Sequence, residues 1–121
     1  MSHPIVHIEL SATDRKALAS FYSSIFDWQV QDFDEMNYTT ASWGSETTGV
    51  GFNPVSDEGN PAGTVVPYIY VDDVDATLAK IEANGGKTLM PGMDIPTVGR
   101  IAQFTDPTGN RMALLKPEEQ M

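Results

Sequence analysis

Two side chains near the start of the chain, His7 and Glu9, are the pair best suited to chemistry. They lie in Ile5-Val6-His7-Ile8-Glu9-Leu10, whose alternation of apolar and polar residues is that of a strand with one buried face. Residues two apart on a strand point the same way, with Cα atoms about 7 Å apart, so an imidazole and a carboxylate there can converge on one ligand or ion. That pairing suits metal ligation, acid and base work, or a hydrogen-bonded pair in a polar pocket. His3 is the other histidine of the chain. On one extended strand it lies about 13 Å from His7, too far to share a metal, and it reads as a frayed terminal residue.

Further along, Val66, Tyr68 and Tyr70 share one face of a second strand-like run, and Arg111, Ala113 and Leu115 share one face of the last. Tyrosine rings in a cleft suit a flat or cationic organic ligand, although tyrosines also fill strands for packing alone. Arg111 suits a carboxylate or phosphate on a ligand, or an ion pair with Glu9 or a surface acid. The acids Asp72, Asp73 and Asp75 stand where a helix begins, where capping and dipole compensation account for them. No nucleophile elbow, P-loop, Gly-rich dinucleotide loop or zinc-binding His-Glu-x-x-His helix is present. With no cysteine, thiolate metal sites, iron–sulfur clusters and thiol redox chemistry are excluded.

The elements that must position these residues come in a repeated order. Ile5 to Leu10 forms a strand after Pro4, with Val6, Ile8 and Leu10 on the buried face. Thr13 or Asp14 then caps a helix whose apolar stripe is Leu18, Phe21, Tyr22 and Ile25. Three strands follow, Gln29 to Asp32, Tyr38 to Trp43 and Gly49 to Asn53, with a hairpin turn over Gly44 to Thr48. Pro54 to Gly63 lacks periodicity and reads as a linker. The pattern then restarts with a strand from Val65 to Val71 and a helix capped by Asp72 or Asp73, carrying Val74, Leu78 and Ile81 and ending at Gly85-Gly86. Strands at Lys87 to Met90, Arg100 to Thr105 and Arg111 to Leu115 complete it, with an irregular loop over Met90 to Val98 and a turn at Asp106-Pro107-Thr108-Gly109. A shift of 59 positions lays Asp14 on Asp73 and Ala17 on Ala76. Two βαβββ modules, each burying one sheet face under its helix, leave the opposite faces free for function.

The 121 residues are the size of one domain, and no apolar run is long enough to span a membrane. Seven basic against 17 acidic residues give a formal charge of -10, which disfavours nucleic acid and anionic lipid as partners. No secretory signal pattern opens the sequence, which leads us to expect a cytoplasmic protein.

The stretches His7 to Asp14, Phe21-Tyr22-Ser23-Ser24-Ile25-Phe26-Asp27-Trp28, Val71-Asp72-Asp73 through Asn84-Gly85-Gly86, and Asp106-Pro107-Thr108-Gly109-Asn110 together resemble the vicinal oxygen chelate superfamily. This is the group of glyoxalase I, bleomycin-resistance proteins and extradiol dioxygenases. Asp27 stands where the family pattern has a glycine in a left-handed turn, a conformation aspartate tolerates. The resemblance implies an α+β fold, a single domain over residues 1–121 in which modules at about 1–56 and 64–121 form a curled mixed sheet around a cavity. It also implies a homodimer, in line with the prevalence of two-fold assemblies.

Metal-dependent members hold one divalent cation with up to four side chains. Matching their pattern puts His7 at the first ligand position, with Gly51, Val66 and Ala113 at or near the other three. A catalytic divalent site needs about three protein ligands, which His7 does not supply even with Glu9. The expectation is therefore a metal-free protein that binds a small organic molecule, by sequestration as in the bleomycin-resistance members or as an unknown substrate. In it His7 and Glu9 are the candidate catalytic residues, and Tyr68, Tyr70 and Arg111 line the ligand. The alternative is a metal-dependent lyase, isomerase or dioxygenase with an atypical site at His7.

Overall fold

Asp14 and Asp73 begin the two helices in the same way. Each has extended backbone, φ/ψ of -144°/101° and -146°/102°, and each carboxylate accepts a hydrogen bond from the backbone N–H three residues on, Ala17 at 3.1 Å and Ala76 at 2.9 Å. The same cap at positions matched by the repeat shows that the second aspartate of Asp72-Asp73 is the one used. In this computed structural model, which describes residues 3–43, 48–56 and 59–118, the element order is β1 Ile5–Ala12, α1 Arg15–Phe26, β2 Gln29–Phe33, β3 Tyr38–Ser42, β4 Gly49–Pro54, β5 Val65–Tyr70, α2 Val74–Ala83, β6 Lys87–Ile95, β7 Gly99–Thr105 and β8 Arg111–Pro117. A short 3-10 turn, Asp34–Met36, separates β2 from β3. The chain is thus α+β and runs twice through strand, helix and three strands. The expected hairpin turn at Gly44 to Thr48 falls largely on residues 44–47, outside the described ones.

The chain forms two compact units, Val6–Val66 and Pro67–Met121 together with Met1–Ile5. In the first, β1 runs parallel to β4, and β4, β3 and β2 follow as antiparallel neighbours. Its core is Ala12, Ala19, Ala41, Val50 and Phe52, with Leu10, Leu18, Tyr22 and Trp28 packed against it. Phe52 is fully buried, and its ring stacks on Tyr22 at 5.9 Å. Burying one such side chain contributes about 1.5–3 kcal/mol. The buried stripe of α1 therefore runs through Leu18, Ala19 and Tyr22. Phe21 and Ile25, expected on it, are 56% and 55% exposed, because this helix carries apolar residues on two faces and the sheet takes only one. At its end Asp27 adopts the left-handed conformation, φ 60°, and its N–H donates to the Ser23 carbonyl.

In the second unit β5 runs parallel to β8, and β8, β7 and β6 follow antiparallel, with Val71, Val74, Leu78, Ala102, Phe104 and Leu114 as the core beneath α2. Strand β6 continues five residues past its expected end at Met90. It pairs with β7 through register shifts either side of Met90, and because it ends the strand order, Pro91 leaves no central ladder bond unmade. A Cβ at Gly92 would lie 2.6 Å from the Asp75 carboxylate that Arg100 binds, so a larger residue there would push this ion pair aside. His3 is not frayed: its Nδ1 lies 3.1 Å from the Tyr70 carbonyl, and Tyr70 N–H donates to the Pro4 carbonyl. Part of the expected linker is ordered by side-chain bonds: buried Asn60 donates to the carbonyls of Asn53 and Pro54, while residues 57 and 58 lie outside the described ones.

Candidate functional site

Alternation along β1 sends Leu10 into the core beneath α1 and His7, Glu9 and Ser11 to the opposite face. The parallel pairing with β4 sets His7 beside Gly49, Glu9 beside Gly51 and Ser11 beside Asn53, while Gly51 faces Thr40 on β3. Neither glycine has a side chain to cover this face, which leaves room for a group from the next strand. Tyr38, the first residue of β3, takes it. A Cβ built on Gly51 would fall on the Tyr38 hydroxyl and only 2.6 Å from His7 Nε2.

The result is a short polar chain of contacts. His7 Nε2 lies 2.7 Å from the Tyr38 hydroxyl oxygen, the Tyr38 hydroxyl donates to Glu9 Oε2 at 3.0 Å, and Asn53 Nδ2 donates to Glu9 Oε1 at 3.4 Å. The His7 and Tyr38 rings are 6.2 Å apart at 31°. Burial of the imidazole pushes its pKa below the usual 6.5, so His7 is neutral at pH 7. A neutral imidazole, a phenol, a carboxylate and a carboxamide on one face can hydrogen-bond a polar ligand and accept or pass a proton.

Tyr38 is held from behind by α1. Arg15, at the start of the helix, donates from Nε to Asn37 at 2.9 Å, from Nη1 to Thr39 Oγ1 at 2.8 Å and to the Tyr38 carbonyl at 3.4 Å, and from Nη2 to Asp34 at 2.9 Å. Thr39 is completely buried and donates its own hydroxyl proton to Asp32 at 2.7 Å. Arg15, and then Lys16, hold the Asp34 carboxyl below its ordinary pKa. This network ties β2, the 3-10 turn and β3 to the helix N-terminus, and so fixes the strand that carries Tyr38.

Tyr38, Asn53 and the clearing role of Gly51 are the site features that sequence reasoning missed. The available signal was the pair of glycines at 49 and 51 on one strand face, since glycine inside a strand marks close approach by another group.

The remaining candidates lie on the second unit's sheet, on the face away from α2. Tyr68 pairs with Ala113 and Tyr70 with Leu115, while Arg111 pairs with Thr105 and Ala113 with Gln103. Tyr68, Arg111 and Gln103 therefore share a face, opposite the core residues Ile69, Ala102, Met112 and Leu114. Tyr68 is only 7% exposed, and the Tyr70 hydroxyl donates to Asp72 at 3.3 Å.

The ligand positions implied by metal-dependent relatives do not fit a catalytic divalent cation here. Gly51, Val66 and Ala113 offer no side-chain donor, and the Tyr38 hydroxyl lies over the first of them. Among the described residues no three His, Cys, Asp or Glu side chains cluster as metal ligands would.

The fold agrees with the comparison to known proteins. The family described as the Glyoxalase/Bleomycin resistance protein/Dioxygenase superfamily matches residues 4–114, and the chain belongs to it. A Mycobacterium tuberculosis protein bearing the provisional name glyoxylase CFP32 is 35% identical over 113 residues, which cover 88% of this chain and 43% of that protein. The anthracycline biosynthesis protein DnrV of Streptomyces peucetius is 34% identical over 122 residues, covering 88% and 44%. The chain thus spans less than half the length of these relatives. Among solved structures, a methylmalonyl-CoA epimerase of Streptomyces coelicolor superposes with a TM-score of 0.71 at 18% identity over 98% of this chain and 100% of that one, a likeness of fold.

Proposed function

We propose that this protein binds a small organic molecule on the sheet face that carries His7, and does so without a divalent metal. The observation that carries the reading is the Tyr38 hydroxyl over Gly51, in hydrogen-bond contact with His7 and Glu9, where a metal-dependent relative would place a ligand side chain. Binding is either sequestration, as in bleomycin-resistance members, or capture of a substrate. The similarity to a protein of anthracycline biosynthesis supports an organic ligand. Tyr68, Tyr70 and Arg111 are further ligand-lining residues in this reading, which also takes the protein to be a cytoplasmic homodimer.

Native mass spectrometry of protein purified without chelator tests the metal, the bound molecule and the subunit number at once. A metal-free mass, twofold in chain and shifted by a small organic adduct, is the expected spectrum. One divalent metal per chain, lost in His7→Ala, overturns the reading in favour of a metal-dependent lyase, isomerase or dioxygenase. A second reading, a metal-free enzyme with His7 as base beside Glu9, is favoured by the neutral state that burial gives His7. Turnover with a bell-shaped pH profile that loses one limb in His7→Ala would establish it.

A further inference from the structure

Each unit has one strand with a single strand neighbour, and the two are built differently. Strand β6 of the second unit carries Pro91 and Gly92 and pairs with β7 through register shifts either side of Met90. Proline and broken register both spoil an edge as a template for another strand. Strand β2 of the first unit has neither device. Gln29-Val30-Gln31-Asp32-Phe33 contains no proline, glycine or lysine, and it pairs with β3 in one unbroken register from Gln29 with Ser42 to Phe33 with Tyr38. All five residues are exposed, and among the described residues β3 is the one strand beside it. Its outer row of backbone N–H and C=O groups is in place to take up a further strand.

We infer that this strand is β2 of a second copy of the chain, laid antiparallel about a two-fold axis at Gln31. Copies of formal charge -10 repel one another except where the meeting surfaces are locally balanced. Asp32 is the single charged residue of β2, and the ion pairs of Arg15 and Lys16 with Asp32 and Asp34 balance the charge beside it. The next acids, Asp27 and Glu35, lie outside the strand, in a left-handed turn and in the 3-10 turn. Residues directly opposite in a pair point to the same face, so a strand paired with itself must centre on one residue. With the axis at Gln31 the whole strand is used: Gln31 meets itself, Val30 meets Asp32 and Gln29 meets Phe33. An axis at Asp32 would shorten the ladder and set two aspartates opposite one another. On the helix side, Val30 and Asp32 border a groove of about 190 Å³ with Lys16, Ser20 and Ser23 of α1. Asp32 of the second copy then stands beside Val30, at the edge of the groove that Lys16 lines, so each copy offers its acid to the other's base. Gln31 also lies in one row with Thr40, Gly51 and Glu9, so the pairing extends the face that carries His7 in both copies. That a second copy is present rests on the homodimer reading above, whereas the surface it uses does not.

The test is the dimer dissociation constant, from sedimentation of the full chain, for wild type, Gln31→Lys and Gln31→Glu. Gln31 is exposed and faces its own copy across the axis, so either substitution sets two like charges opposite one another on Cα atoms about 5 Å apart. Each should raise the constant about five- to tenfold. Net charge alone would move the two variants in opposite directions, since lysine reduces the chain's negative charge and glutamate adds to it. Local pairing weakens both. An equimolar mixture of the two, one of them labelled with nitrogen-15, should recover the wild-type constant or better it. Native mass spectrometry should then show dimers of one labelled and one unlabelled chain in excess of their statistical share. Only folded chains can recover in this way, so the mixture also controls for loss of fold. A wild type that sediments as a monomer at every concentration overturns the inference together with the homodimer reading. A wild-type dimer whose constant is unmoved by both substitutions, moved oppositely by them, or not restored in the mixture overturns the inference alone.

Discussion

Replacing Gly51 by Ala adds a single methyl group to the middle of β4, and its cost can be worked out from the structure. Gly51 has ordinary strand backbone, so alanine meets no conformational strain, and in isolation the change favours the folded strand by about 0.5–1 kcal/mol. Against that, the new Cβ would coincide with the Tyr38 hydroxyl and stand 2.6 Å from His7 Nε2, so the tyrosine must leave. Its departure breaks the hydrogen bond to the Glu9 carboxylate, worth about 1.5–3 kcal/mol as a bond to a charged group, and the contact with His7, worth about 0.5–1.5 kcal/mol. The net expectation is a loss of about 1 to 4 kcal/mol. With a urea m-value of about 2 kcal/mol/M, a loss of about 2 kcal/mol lowers the unfolding midpoint by about 1 M. The decisive comparison is the same substitution in a Tyr38→Ala background. There the tyrosine no longer obstructs the new Cβ and only the His7 ring, 2.6 Å away, has to shift, so Gly51→Ala should cost less than it does in the wild type. The cost of one substitution therefore depends on the residue at 38. Equal effects in the two backgrounds would show that Tyr38 does not occupy the space over Gly51, and the description of the site would fall with it.

Other consequences are as direct. Asp14→Ala and Asp73→Ala should each cost about 1 kcal/mol in urea unfolding, by amounts close to one another because the two caps share one geometry. Thr39→Val keeps the shape of the buried side chain but removes the acceptor for Arg15 and the donor to Asp32, and should lower stability by about 1–3 kcal/mol. Burial lowers the His7 pKa in the folded state, so folding disfavours the protonated ring: its contribution is complete above pH 6.5 and is lost as pH falls through the depressed folded value. Urea midpoints should therefore drop between pH 7.5 and 5.5, and by less in His7→Gln. An unchanged pH dependence in that variant would assign the loss to other groups.

What the sequence disclosed was mostly local. Alternation separated His7 and Glu9 from Leu10, because period-two patterning is a property of one strand. The caps were legible to within one residue, since an aspartate beside a helix start has few other tasks. The buried stripe of α1 was misassigned because Leu18, Phe21, Tyr22 and Ile25 satisfy helical spacing as well as Leu18, Ala19 and Tyr22 do, and only the sheet chooses between them. The length of β6 was hidden by Pro91 and Gly92, which punctuate most sequences but are tolerated where a strand has no neighbour beyond it. Tyr38 was beyond reach for a different reason. Its role depends on the register of β3 against β4 and of β4 against β1, and on a side chain crossing one strand to meet the next.

The pairing of residues 3 and 4 with Tyr70 also sets an order on the chain's synthesis. The unit Val6–Val66 draws all its strands from a continuous stretch and can form as soon as that stretch has left the ribosome, whereas His3 and Pro4 belong to a unit whose other residues begin at Pro67. At about 5–20 residues per second, Pro4 waits about 3 to 13 s for the partner that hydrogen-bonds its carbonyl. Residues 3 and 4 are thus placed later than strands that follow them in the chain. For that interval the start of β1 stays unpaired on its Tyr70 side, open to strand pairing with any other nascent chain nearby.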